Sequence, residues 1–174
     1  MDAISESRLA QVHPVLAAHA VQLLDRFDAD NTPLRVTQGL RSWQQQEAIW
    51  LEGRDAQGNI VDPTKVVTNA PPGSSWHEYG LAFDVVPMIE VNGNPLILTP
   101  DWNTEHSIWQ HIIAVGESLG MYSGSHFGEH SPHPRPDDPH FQEVGRFHVS
   151  PDDEVRSIYN QGGIPAVWAA SGLS

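Results

Sequence analysis

Residues 74–84 read Ser-Ser-Trp-His-Glu-Tyr-Gly-Leu-Ala-Phe-Asp, and Val85-Val86-Pro87-Met88-Ile89 carry the apolar run onward. His77 and Asp84 stand seven positions apart with Gly80 between them. The histidine falls on a loop, and the aspartate falls inside a buried strand spanning residues 81–89. A carboxylate among Leu81, Ala82, Phe83, Val85 and Val86 needs a partner, because an unpaired buried charge is expensive. A metal ion is one such partner. The second informative stretch is Pro136–Gln142, PDDPHFQ, which puts His140 at a strand start with Asp137 and Asp138 just before it. His77, Asp84 and His140 make a two-histidine, one-carboxylate set, and three protein ligands with a fourth position for water is the usual catalytic zinc arrangement. A neighbouring carboxylate that is not a ligand then serves as general base and later as acid; Asp137 and Asp138 are the local candidates. His77-Glu78 invites comparison with a helical HExxH zinc motif, but position 81 is leucine, so that reading fails and Glu78 is taken as a loop carboxylate.

The rest of the chain supplies a scaffold. Residues 12–29 place Val15, Leu16, His19, Leu23, Leu24 and Phe27 at helical spacing, with Pro14 suited to a first turn. Residues 34–40 alternate as a short strand. Ser42 caps a helix over 43–53, which Gly53 ends. Residues 55–74 form a loop, with a short strand expected at Val66–Thr68. Asn92-Gly93 marks a hairpin returning through Pro95–Leu98. Residues 104–119 form an amphipathic helix, 123–139 an irregular segment and 140–144 a short strand. Two helices follow, over 151–161 and 164–171. Long helices segregated from short strands predict an α+β fold, with a small antiparallel sheet and helices packed against it.

The 174 residues suit a single domain, 1–174, with its core at about 13–168. The chain holds 22 acidic and 9 basic residues for a net charge of −13, which disfavours nucleic acid and anionic membranes as partners. No cysteine is present. That excludes disulfides, thiolate metal sites and cysteine nucleophiles, and leaves His, Asp and Glu to hold any metal. No apolar run reaches the length of a membrane span.

Ser75-x-His77-x-x-Gly80-x-Ala82-x-Asp84 followed by Asp137-x-Pro139-His140-Phe141 resembles the zinc peptidases of bacterial cell-wall peptides. These are the VanY-type D-alanyl-D-alanine carboxypeptidases and the phage L-alanyl-D-glutamate endopeptidases, whose fold is shared with the hedgehog signalling domain. Residues 36–54, VTQGLRSWQQQEAIWLEGR, resemble the family's arginine segment, and the early HPVL and late YNQGGIPAVW look like the endopeptidase branch. The resemblance implies zinc on His77, Asp84 and His140, and Asp137 as the catalytic acid/base, with Asp138 as its rival. It implies Arg41 at the substrate carbonyl or carboxylate, with Gln46 and Ser75 as pocket residues; Trp76, beside His77, is expected to border the cleft. The expected partners are peptidoglycan stem peptides, acted on by a monomer.

Two segments depart from the family pattern: the longer loop Asp55–Val66, expected to form a lip, and GSHFGEHSPHPRPDD (124–138). MDAISESRLA lacks a basic and then apolar leader, so the expectation is cytoplasmic residence until lysis or a non-Sec route delivers the protein to the wall. His126, His130 and His133 are read as exposed loop residues. His13, His19, His106, His111 and His148 are read as structural or solvent-facing. Trp43, Trp50, Trp109 and Trp168 are read as core.

The charge of −13 opposes approach to anionic wall polymers. Hydrolysis of intact wall should therefore rise as salt increases toward physiological strength, where the screening length shrinks to about 8 Å. A rate flat across that range would remove this electrostatic barrier from the account.

Overall fold

The computed structural model describes residues 1–130 and 136–174. In chain order the elements are α1 (Ala3–Leu9), α2 (Pro14–Ala29), β1 (Leu34–Gln38), α3 (Trp43–Trp50), β2 (Ala82–Val91), β3 (Asn94–Pro100), α4 (Ser107–Ser118), β4 (Tyr122–Ser123), β5 (His140–Gln142) and α5 (Asp153–Ser171). They form two compact units, Met1–Gly39 with Leu81–Glu143, and Leu40–Gly80 with Val144–Ser174.

The first unit contains the sheet. Its strands run in the order β1-β2-β5-β4, with β3 pairing β2 as a hairpin, and every pairing is antiparallel. This is the α+β architecture that the segregation of helices and strands predicts. Helix α2 begins with Pro14 at its first position, and the His13 ring accepts the Val15 N–H. It buries Leu16, Ala20, Leu23, Leu24 and Phe27, a stripe at helical spacing. That stripe packs with Val36, Phe83, Val85, Ile112 and Phe141 in one apolar core. Each large side chain withdrawn from water there contributes about 1.5–3 kcal/mol.

Helix α1 is an element the sequence reading lacks. Asp2 caps it by accepting the Ser5 N–H, and only Leu9 joins the core. Its work lies at the outer edge of β1. The Val36 N–H donates to Ser5 Oγ at 3.0 Å, and Arg8 donates to the Val36 carbonyl at 2.6 Å. An edge strand otherwise presents unpaired N–H and C=O groups to any passing chain.

The second unit has an aromatic centre. Trp43 stacks on Tyr159 and Trp76 on Phe147, while Tyr79 meets Trp43, Trp76 and Tyr159 edge-on. Trp168 donates its indole N–H to the Tyr79 carbonyl at 2.7 Å. The two expected C-terminal helices are α5, broken at Gly163 (φ 65°, ψ −161°) with Pro165 just beyond. The expected strand at Val66–Thr68 is absent; Pro63–Lys65 forms a 3-10 turn instead. The Thr68 carbonyl accepts from Arg54, whose guanidinium lies over Trp50, so this backbone is satisfied by a side chain and not by a ladder.

In the first unit, a Cβ at Gly116 of α4 would fall 2.2 Å from the Phe141 ring. Gly116→Ala gains up to ~1 kcal/mol of helix propensity, but overpacking typically costs about 1–3 kcal/mol. The variant should melt several degrees lower. A melting temperature at or above the parent's would show that the ring yields freely.

Candidate metal centre

Alternation along β2 sorts its side chains. Phe83 and Val85 enter the main core, while Val86 and Met88 cluster with Trp109. Asp84 is the half-buried exception among the buried residues Leu81–Met88. Its cross-strand partner in the register is His140, just as Phe83 pairs with Phe141 and Ala82 with Gln142. Directly opposed residues share a face. The Phe83 and Phe141 rings therefore stack on the core side, and Asp84 and His140 meet on the other. His140 Nδ1 lies 3.4 Å from Asp84 Oδ1.

His77 sits in a 3-10 turn, Trp76–Tyr79, with Ser75 at its N-cap. Gly80 ends the turn in the left-handed region (φ 66°), where an L side chain is strained, and the chain passes directly into β2. Glu78 holds the turn. Its carboxylate is 1% exposed and accepts the Gly73 N–H at 2.8 and 2.9 Å and the Ser75 N–H at 3.1 Å. Burial lifts this carboxyl above its usual range, against the downward pull of those N–H groups and of the Arg41 charge. The loop carboxylate expected at Glu78 is thus a buried structural anchor. The signal for it was present as Ser75-x-x-Glu78, the spacing of a capping box. Tyr79 adds a second tie, donating its hydroxyl to the Gly73 carbonyl at 2.9 Å. Trp76 is 2% exposed, and its indole N–H donates to the Val149 carbonyl. It belongs to the aromatic centre and does not present an open cleft-lining face.

His77, Asp84 and His140 each offer one ligand atom, and these atoms all lie within 4.8 Å of one another. Two ligands about 2.1 Å from a shared zinc at the tetrahedral angle lie about 3.4 Å apart. The Asp84–His140 separation of 3.4 Å therefore fits that ion, as does a donor set of two imidazoles and a carboxylate. Burial opposes a charge on His140 most strongly. Even so, the Asp84 hydrogen bond and charge, with the Asp137 charge and the Gln142 hydrogen bond, lift the imidazole above its ordinary value.

The other expected site residues are tied to these ligands through the backbone. The Arg41 N–H donates to the His77 carbonyl at 3.0 Å. Its guanidinium donates to Gln46 Oε1 at 2.9 Å, and Gln46, fully buried in α3, donates in turn to the Ala70 carbonyl at 2.8 Å. Gln46 is thus engaged within its own unit on both sides of its amide. The Asp137 carbonyl accepts the His140 N–H at 3.1 Å, and the Asp137 N–H donates to the Gly124 carbonyl. Asp137 is exposed and Asp138 half-buried. A Cβ at Gly124 would meet the Asp137 carbonyl oxygen at 2.5 Å and His140 Cβ at 2.8 Å, so the turn carrying both residues packs against bare backbone.

The remaining histidines have separate duties. His19 bonds Glu143, His106 bonds Asp101, and His126 bonds Glu117 at 2.6 Å. His13 caps α2, His111 packs on Phe27, and His130 and His148 are exposed. His133 lies outside the described residues.

Glu78→Ala should strand the buried Gly73 N–H, at about 1–3 kcal/mol, and the part-buried Ser75 N–H, at less. It should lower the melting temperature and, by loosening the His77 turn, weaken zinc binding. Glu78→Gln, which keeps one acceptor oxygen, should recover part of both. A Glu78→Ala protein with unchanged melting would contradict the anchoring role.

Comparison with known proteins agrees with the residue pattern. Over 122 residues the chain is 27% identical to the peptidoglycan L-alanyl-D-glutamate endopeptidase CwlK of Bacillus subtilis, spanning 66% of this chain and 66% of that protein's length. In fold it resembles DacB of Streptococcus pneumoniae (TM-score 0.53, 21% identity, 87% of this chain and 72% of the other). It also resembles the vancomycin-resistance D,D-pentapeptidase VanY in complex with Zn(II) (TM-score 0.54, 19% identity, 90% and 83%). The family described as VanY, D-alanyl-D-alanine carboxypeptidase, matches residues 9–115, more than half of the chain and including Arg41, Gln46, His77 and Asp84. No helix among the described residues is long and apolar enough to cross a membrane. The chain belongs to the VanY family of D-alanyl-D-alanine carboxypeptidases.

Proposed function

We propose that this protein is a zinc peptidase that hydrolyses the L-Ala–D-Glu bond of peptidoglycan stem peptides. The observation that carries the reading is the convergence of His77, Asp84 and His140 ligand atoms within 4.8 Å. Zinc held by such a set acidifies water toward a pKa of about 7 and polarises a carbonyl oxygen. Asp137 takes the proton from the attacking water and hands it to the departing amine nitrogen, so that one carboxylate serves both halves of the reaction. Its place in the short turn leading into His140 supports that role, because the Asp137 carbonyl is bonded to the His140 N–H.

Arg41 donates to the oxyanion that develops on the scissile carbonyl. Its backbone bond to His77 and its Gln46 support favour a fixed guanidinium, and fixed donors are worth more than mobile ones because no reorganisation is needed as charge develops. Ser75 borders the substrate through the turn it caps. The endopeptidase reading rests on the similarity to CwlK. The family description favours a second reading, removal of a terminal D-alanine by the same centre.

Mass spectrometry of zinc-loaded protein incubated with purified peptidoglycan separates the two. A new D-Glu amino terminus establishes the endopeptidase, and loss of one terminal alanine establishes the carboxypeptidase. No new fragment, with zinc bound, would reject both in favour of a binding domain. Asp137→Asn should retain zinc and lose activity by about 10²–10⁴-fold, the usual worth of a general acid/base. Turnover retained in that variant would move the role to Asp138. His140→Ala should lose zinc, and an unchanged metal content would overturn its place among the ligands.

A further inference from the structure

We infer that Gln142 is a positioning residue that selects the tautomer of His140, holding the proton on Nε2 so that the Nδ1 lone pair is available to the metal. The inference rests on the metal reading above. Strand β5 alternates His140, Phe141, Gln142, so the first and third residues project to one face while Phe141 points into the core. Gln142 is 1% exposed, and its Oε1 lies 3.0 Å from His140 Nε2. An amide oxygen only accepts, so this bond requires a hydrogen on Nε2. A neutral imidazole carries one N–H, which leaves Nδ1 as the lone-pair nitrogen. Nδ1 is also the atom that faces Asp84.

The Asp84 carboxylate pulls the other way. An anion 3.4 Å from Nδ1 favours a proton on Nδ1, and that tautomer has no lone pair to offer there. The Gln142 acceptor on the far side of the ring opposes this pull. The ring is also restrained by Phe127, whose centroid lies 5.1 Å away, and by the close backbone approach of Gly124. Metal-ligating histidines commonly donate their second ring N–H in this manner, and removing the acceptor costs about 10–100-fold in metal affinity. Across the ladder from Gln142 stands Ala82, small enough to leave the amide its place beside the imidazole.

Two measurements test this. The first needs no variant: nitrogen-15 spectra of histidine in the metal-free protein, recorded at a pH where the His140 ring is neutral, report which His140 nitrogen bears hydrogen. Nε2–H is expected; an Nδ1–H tautomer would overturn the inference. The second is the zinc dissociation constant from chelator competition. Gln142→Met, similar in size but without the amide acceptor, should weaken zinc about 10–100-fold. Gln142→Glu, which keeps an acceptor oxygen, should hold zinc within a few-fold of the parent. A Gln142→Met protein that is folded and binds zinc like the parent would reject the positioning role, even if it melts lower. A parent protein that binds no zinc would overturn the metal reading itself, an outcome distinct from parent binding that is indifferent to residue 142.

Discussion

A carboxylate placed in the middle of a buried strand constrains everything around it. Asp84 interrupts Leu81–Met88, where every other residue is buried, and its charge is tolerable only if the face it occupies is furnished for it. The β2–β5 register furnishes that face. Sliding β5 by one residue would bring Phe141 opposite Asp84 and send His140 toward the apolar core, because strand side chains alternate with period two. The stacked Phe83–Phe141 pair therefore does more than fill space. By preferring the core side, it holds the polar pair on the other. Gly116 participates for the same reason, since its missing side chain is what admits the Phe141 ring against α4.

The other histidine is fixed by different means. His77 has no ladder to set its position; it sits in a short 3-10 turn, Trp76–Tyr79. Glu78, Tyr79 and Gly80 supply the constraint: a buried carboxylate gathers two backbone N–H groups, a hydroxyl reaches back to the Gly73 carbonyl, and a left-handed residue redirects the chain into β2. Within the same unit, Trp43 and Tyr159 pack on the turn's Tyr79 and Phe147 stacks on its Trp76. Aromatic side chains suit this duty because each buries a large area, and Trp76 satisfies its one polar atom on a nearby carbonyl.

Much of this was legible in the sequence, for identifiable reasons. Helices α2 and α4 bury long apolar stripes, and periodicity reports such stripes directly. The continuous apolar run of residues 81–89 marks β2 directly, and a carboxylate within such a run is the sequence signature of a candidate metal ligand. Helix α1 escaped because a seven-residue segment with one core leucine leaves no periodic trace; its value lies in hydrogen bonds to the edge of β1. β4 has two residues and exists only as a partner for β5. The strand expected at Val66–Thr68 failed because β propensity reports side chains that suit a pleated surface, not whether a neighbouring strand is on hand. Trp76 is buried where a cleft position is expected, for a related reason. Adjacency to a ligand in sequence does not give direction, and a turn sends consecutive side chains different ways. Glu78 carries a legible signal in its capping-box spacing from Ser75, because a Glu three residues after an N-cap Ser reaches back to the cap's backbone N–H.

Two buried glutamines illustrate how a polar group is oriented without altering its charge. Gln46 accepts from the Arg41 guanidinium, and Gln142 accepts from the His140 ring. A carboxylate at either position would make a stronger bond, since a charged acceptor roughly doubles the strength. At position 46 it would also pair with the Arg41 guanidinium and cancel the positive charge that the proposed oxyanion contact would need. At position 142 it would add a second anion near Asp84, in a chain already carrying a net charge of −13. A neutral amide avoids both difficulties. It fixes the direction of its partner and satisfies a buried donor, while leaving the charge of the arginine and the second nitrogen of the histidine for chemistry.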